Sequence, residues 1–143
     1  MSQGLIDAVY SVLKQDELIL TYLGLQRGSP PELLTKRFIK GIETDAVTIS
    51  ENVPQIQTYI MPGRFGHNHM VYAGKFCIDC YAKTSVDARV MADRAFKLLH
   101  DEYIAHESFR SFRCHLAYDT DFATGITGIK GYKAIYDVDY VRK

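Results

Sequence analysis

The sequence predicts an α+β fold: an antiparallel sheet of about four strands with helices packed on one face. Its core has the order β-β-α-β-β and is preceded by N-terminal helices. Three observations predict it. Hydrophobic alternation with a period of two begins at Gln55 and returns after residue 111. A capped amphipathic helix lies between the two alternating stretches. The first 50 residues instead carry helical spacing and helix start and stop signals. A chain of 143 residues is most simply one domain, 1–143, with a mainly helical part (1–50) and a sheet with its central helix (54–142).

Within the first part, Ile6, Val9, Tyr10 and Leu13 fall at i, i+3, i+4 and i+7, which predicts a helix over Gln3 to Lys14. The run Leu18 to Leu23 follows Asp16, a good N-cap, and stops at Gly24, a good terminator. Ser29-Pro30-Pro31-Glu32 reads as a helix start that carries Leu33, Leu34 and Phe38 and ends before Gly41. The stretch Arg27 to Lys40 holds four basic residues and one acid, the one local charge bias in the chain.

From Gln55 onward, Ile56, Thr58 and Ile60 alternate with Gln57, Tyr59 and Met61, and Pro62-Gly63 is expected to halt that strand. A longer strand, Met70 to Tyr81, places Tyr72, Gly74, Phe76, Ile78 and Cys80 on one face. Between these strands, Pro62 to Met70 (PGRFGHNHM) reads as a nine-residue connection, longer than a usual hairpin loop. Thr84-Ser85 caps the next helix, with Asp87 in its first turn where the helix dipole favours an acid. Ala88, Ala92, Ala95, Phe96, Leu99 and Tyr103 fall on one face of that helix; Asp87, Asp93, Arg94, Lys97 and Asp101 fall on the other. Strands Phe112 to Tyr118 and Gly131 to Val141 close the chain, joined by a wide turn containing Gly125 and Gly128.

Composition narrows the function. Seventeen basic residues cancel seventeen acidic ones, which argues against a protein that binds nucleic acid mainly through its phosphates. No apolar stretch approaches the roughly 20 residues of a membrane-spanning helix. Met1 to Leu13 lacks the basic start of an export signal, and three cysteines then suggest a reduced, cytoplasmic thiol state. Ten tyrosines suit half-buried strands, and would also suit an interface.

Catalytic constellations are weak. His67 and His69 precede Cys77 and Cys80, but residues three apart on a strand point to opposite faces and cannot share one metal ion. Cys114 and His115 are adjacent on a strand and diverge. Ser108 and Ser111 lack a nucleophile-elbow setting. Asp119, Asp121, Asp137 and Asp139 would form a cation site only if their strands gathered them; alternating acids otherwise mark a solvated face. No glycine-rich phosphate cradle is present, so no cofactor and no catalytic residue is expected. The connection Pro62–Met70 supplies the assembly-contact candidates Arg64, Phe65, His67, His69 and Met70: exposed apolar groups beside polar donors.

The helix with Ile6, Val9 and Leu13, the strands Gln55–Met61 and Val71–Tyr81, the helix Ser85–Tyr103 and the strand Tyr132–Tyr140 together resemble the tail-terminator (tail-completion) family of long-tailed bacteriophages. The run KFCIDCYAKTSVDARVMADRAFKLL carries most of the likeness, and Asp16 to Asn52 lies outside it. The resemblance implies a non-enzymatic virion protein, made in the host bacterial cytoplasm and located at the tail–head junction. It implies a homo-oligomeric ring, a hexamer, that caps the tail tube, stops its polymerisation and offers a docking surface to the head connector. Its partners would be its own copies, the tail tube protein and the head connector protein. DNA would pass through the lumen without sequence-specific contact, and no membrane would be involved. A head–tail connector or neck protein is the nearest alternative; a small metal-dependent hydrolase or nuclease using His67, His69 and the acids is the alternative from another class.

Overall fold

The computed structural model describes residues 2–142. Helix α1 (Ser2–Lys14) and helix α2 (Glu17–Tyr22) are followed by helix α3 (Pro31–Arg37), strand β1 (Phe38–Lys40) and helix α4 (Ala46–Glu51). Strands β2 (Gln55–Phe65) and β3 (Val71–Ala82) form a hairpin, and helix α5 (Ser85–Leu99) follows. Strands β4 (Glu102–His106), β5 (Phe109–Phe122) and β6 (Lys130–Arg142) complete the chain.

The six strands form one sheet in the order β1-β2-β3-β6-β5-β4. The α+β class expected from the sequence is compatible with this architecture, but the sheet is larger than four strands, and β1 runs parallel to β2. The two extra strands sit at the two edges. Strand β1 hides in what reads as the end of a helix, because Phe38 lies four residues after Leu34. Phe38 is in fact extended (φ −132°, ψ 99°), and its ring is buried in the core. Strand β4 hides behind α5 for the same reason: Tyr103 continues the helical spacing, yet the helix stops at Leu99. His100 is extended there and Asp101 takes φ +62°, so the chain turns back onto the sheet.

Capping follows the sequence closely at two helices. Asp16 accepts the Ile19 N–H at 3.0 Å, and Thr84 accepts the Asp87 N–H at 3.2 Å. At α3 the expected serine cap is not formed. Pro30 occupies the N-cap without a side-chain bond, and Ser29 accepts the Gln26 N–H in the preceding turn instead.

The main core lies between one sheet face and helices α1, α2 and α5. It joins Leu5, Val9 and Leu13 of α1 with Ile19 and Leu23, and with Ala88, Met91, Ala92, Ala95 and Leu99 of α5. The sheet contributes Ile56, Phe76, Ile78, Cys80, Tyr136, Val138 and Tyr140. Phe76 and Tyr136, cross-strand partners, stack with ring centroids 5.2 Å apart and 9° between planes. The small alanines of α5 let its axis approach β3 and β6 closely. Arg94 on its other side forks onto the Asp16 carboxylate at 2.9 and 2.7 Å, tying α5 to the cap of α2.

Not all helices pack on one face. Helix α4 places Ile49 on the opposite face, with Val53, Tyr81 and Ile129. This small second cluster covers one end of that face and leaves the other end open.

Candidate assembly surface

The β2–β3 hairpin runs from the covered end of the sheet to an exposed tip, and it carries all five candidate residues. Pro62 and Gly63 do not halt β2. Met61 pairs with Lys75 and Arg64 pairs with Ala73, so Pro62 and Gly63 together oppose Gly74 in a bulge. A bulge spares proline the ladder hydrogen bond it cannot donate. Glycine is required beside it, because a Cβ on Gly63 would lie 2.7 Å from the Ala73 carbonyl oxygen and 2.8 Å from the Tyr72 ring. The expected nine-residue connection is therefore mostly strand, and only Gly66 to Met70 lies between the paired segments.

Arg64 and Phe65 stand on β2; His67, His69 and Met70 occupy the turn. The turn is held from within. Asn68 accepts the Met70 N–H through its side chain and the Val71 N–H through its carbonyl, both at 3.0 Å. Phe65 packs edge-on against Tyr72 at 5.1 Å, and Tyr72 contacts Tyr140, which fixes the arm to β6. Phe65 is nonetheless 48% exposed and Met70 70% exposed. Arg64, Phe65, Gly66, His67 and His69 line a hollow of about 330 Å³ at the tip. Below it, a groove of about 470 Å³ runs between Arg64 and Lys75 on one side and Asp137 and Asp139 on the other. This shape and chemistry suit a contact with another protein surface.

The catalytic constellations are taken apart by the fold. Cys80 enters the helix-covered core, whereas Cys77 faces the other way beside Asp79, and both stand within β3 whereas His67 and His69 lie in the turn before its first residue, Val71. Burial pushes the Cys77 and Cys114 thiols up to about 12. Three of the four acids have separate partners: Asp121 pairs with Arg89, Asp119 accepts the Tyr132 hydroxyl, and Asp137 pairs with Lys75. No group of three or more metal-capable side chains gathers among the described residues. Ser108 lies 2.6 Å from His106 Nδ1 within a tight hairpin turn, and its own N–H donates to the same nitrogen, so the pair closes the turn. Ser111 bonds both the N–H and the carbonyl of Ile104 and bridges the β4–β5 irregularity. Three of the four basic residues of Arg27–Lys40 are engaged by the chain itself: Arg27 with Glu17, Arg37 with the Leu23 carbonyl, and Lys40 with Asp7.

Two features escape sequence reasoning. Tyr103, Phe112 and Tyr118 on β4 and β5 are more than half exposed, although strand alternation alone suggests half-burial. A polar cluster also forms on the sheet face away from α5. Asp79 receives the Tyr59 hydroxyl at 2.9 Å, the Cys77 thiol at 3.2 Å and the Lys133 ammonium at 2.9 and 3.1 Å. The available signal was positional: Asp79 stands between Ile78 and Cys80 in a strand that is otherwise buried.

The fold therefore defines a small α+β module with an exposed hairpin arm. No known family profile matches the chain, and no curated protein matches it. Its fold is similar to that of a chain from the virion of a native gene transfer agent particle. The TM-score is 0.68 at 11% sequence identity, and the match covers 99% of this chain and 96% of that one. No helix among the described residues is long and apolar enough to cross a membrane.

Proposed function

We propose that this chain is a structural protein of a phage or phage-like virion that caps the tail tube as a hexameric ring. In that role it stops tube polymerisation and presents the docking surface for the head connector. The observation that carries the reading is the fold likeness to a chain of a virion particle, which spans 99% of this chain and 96% of that one. The hairpin arm supports it, because a closed ring needs one surface on each copy that fits a different surface on the next. The separation of the candidate catalytic groups fits a protein that works through its surfaces.

The test is functional. Purified protein added to polymerising tail tube protein is expected to fix tube length and to appear in negative stain as a six-membered ring on one tube end. Tubes that grow on unchanged would overturn the capping role; binding to the head connector alone would make the chain a neck component instead.

A further inference from the structure

We propose that Lys133 and Cys77 form a reversible oxidative sulfur–nitrogen cross-link that ties β3 to β6 on the sheet face away from α5. The register sets this up. Asp79 is the direct cross-strand partner of Lys133, and Cys77 stands two residues from Asp79 on the same face, on the diagonal that a long side chain can reach. Lys133 Nζ lies 3.6 Å from Cys77 Sγ, while Asp79 accepts from both groups and holds them side by side. Tyr59 adds a second partner to the lysine through its hydroxyl oxygen, and the Tyr59 and Phe122 rings lie about 5 Å from the ammonium.

Cys77 has no thiol to pair with. Cys80 and Cys114 are both in the helix-covered core. An oxidised Cys77 therefore has one side-chain amine in contact, that of Lys133. Cys77 itself is fully buried, and the Lys133 side chain that lies against it is 28% exposed, so a small oxidant reaches the sulfur when that side chain swings aside.

The chemistry needs peroxide as the oxidant. One peroxide converts the thiol to a sulfenic acid and releases one water. The Lys133 ammonium gives a proton to Asp79 or to solvent, and the freed Nζ lone pair attacks the sulfur. The S–N bond forms as the S–O bond breaks, and the departing hydroxide takes the second amine proton to leave as water. The sum is thiol plus ammonium plus peroxide giving sulfenamide, two waters and one proton. Burial holds the thiol protonated, so the link forms slowly and only under oxidising conditions.

The experiment is intact-protein mass spectrometry after incubation with millimolar hydrogen peroxide, with circular dichroism confirming that the fold persists. The expected product has lost two hydrogens, about 2 Da, joins the Cys77 and Lys133 peptides after digestion, and reverts with a thiol reductant. Lys133→Arg keeps the positive charge beside Asp79 without a nucleophilic amine, and its Cys77 is expected to run on to the sulfinic acid, a gain of about 32 Da. Cys77→Ser should abolish the 2 Da loss. An unlinked Cys77 in the folded native protein, whether unreacted or oxidised to the acids, would overturn the proposal, as would the same 2 Da loss in either variant.

Discussion

The two faces of β3 and β6 are built from the same strands and differ in what covers them. On the helix side, Phe76, Ile78, Cys80, Tyr136 and Val138 meet α1, α2 and α5 in an apolar, close-packed core. On the other side, burial persists from Tyr81 through Asp79 to Cys77 and gives way only from Lys75 onward. Tyr81 is sealed by Ile49, Val53 and Ile129. Next comes the Asp79–Lys133 pair, with side chains 6% and 28% exposed, and then Lys75–Asp137 at 43% and 47%. Beyond the bulge at Pro62-Gly63 the arm is open to solvent. One face thus holds the molecule together, and the other grades from core to candidate contact surface within a single strand.

Substitutions at alternate positions of β3 should expose this difference. Phe76→Ala removes a fully buried ring stacked on Tyr136 and is expected to cost about 3–5 kcal/mol, read as a lower denaturant midpoint with little change in slope. Asp79→Ala strands a partly buried ammonium. It is expected to cost about 2–3 kcal/mol, less than the ~3–5 of a fully buried pair, because Lys133 keeps part of its hydration. Lys75→Ala, four residues away on the same face, should cost at most ~1 kcal/mol. If Lys75→Ala proved as costly as Asp79→Ala, the gradient along this face would not be one of burial.

A pH titration sharpens the helix side. The Arg94 fork holds the Asp16 carboxyl below the usual carboxylate range, against the opposing effect of burial and with a lesser reinforcement from the Ile19 N–H. A depressed folded-state pKa gives stability that is fully present above the unfolded value near ~3.9 and is lost as pH falls through the folded one. Asp16→Ala should therefore destabilise by about 1 kcal/mol or more at neutral pH, from the lost cap alone. The gap to the native protein should narrow below about pH 4 in paired thermal melts. A gap constant from pH 7 to pH 2 would separate the pair from the acid sensitivity.

The helix-covered face was largely legible in the sequence, because it depends on periodicity and caps: Ala88, Ala92, Ala95 and Leu99 under Thr84, and Phe76 and Ile78 alternating with polar neighbours. The edges were not. A three-residue strand at Phe38–Lys40 gives no periodic signal, and Tyr103 satisfies helical spacing and strand alternation equally. The bulge was misread because proline and glycine terminate most strands; only the partner register, with Gly74 opposite, shows that the ladder resumes. The arm therefore came out as a loop, although its five candidate residues do share one exposed end of the molecule. The Tyr59–Asp79–Lys133 cluster depends on three strands meeting, which the chain order alone does not reveal.

The smallest expected effect on stability belongs to the tip, where the expected effect on assembly is greatest. Replacing Gly66 to Met70 by a two-residue Asn-Gly turn closes the hairpin with a favoured geometry and touches no residue of either buried cluster. Met70→Ser alters a side chain that is 70% exposed in the same region. Thermal melts of both variants should stay within ~0.5 kcal/mol of the native protein, in keeping with ordinary surface substitutions. Ring formation on tube ends, scored in negative stain, should fall sharply if the tip seats on a neighbouring copy or on the tube. Native ring counts with both variants would place the contact elsewhere, and the exposed Tyr103, Phe112 and Tyr118 at the opposite edge of the sheet would be the next surface to alter. A large loss of stability would show instead that the arm supports the core, and the decline in burial along β3 would no longer separate structure from surface.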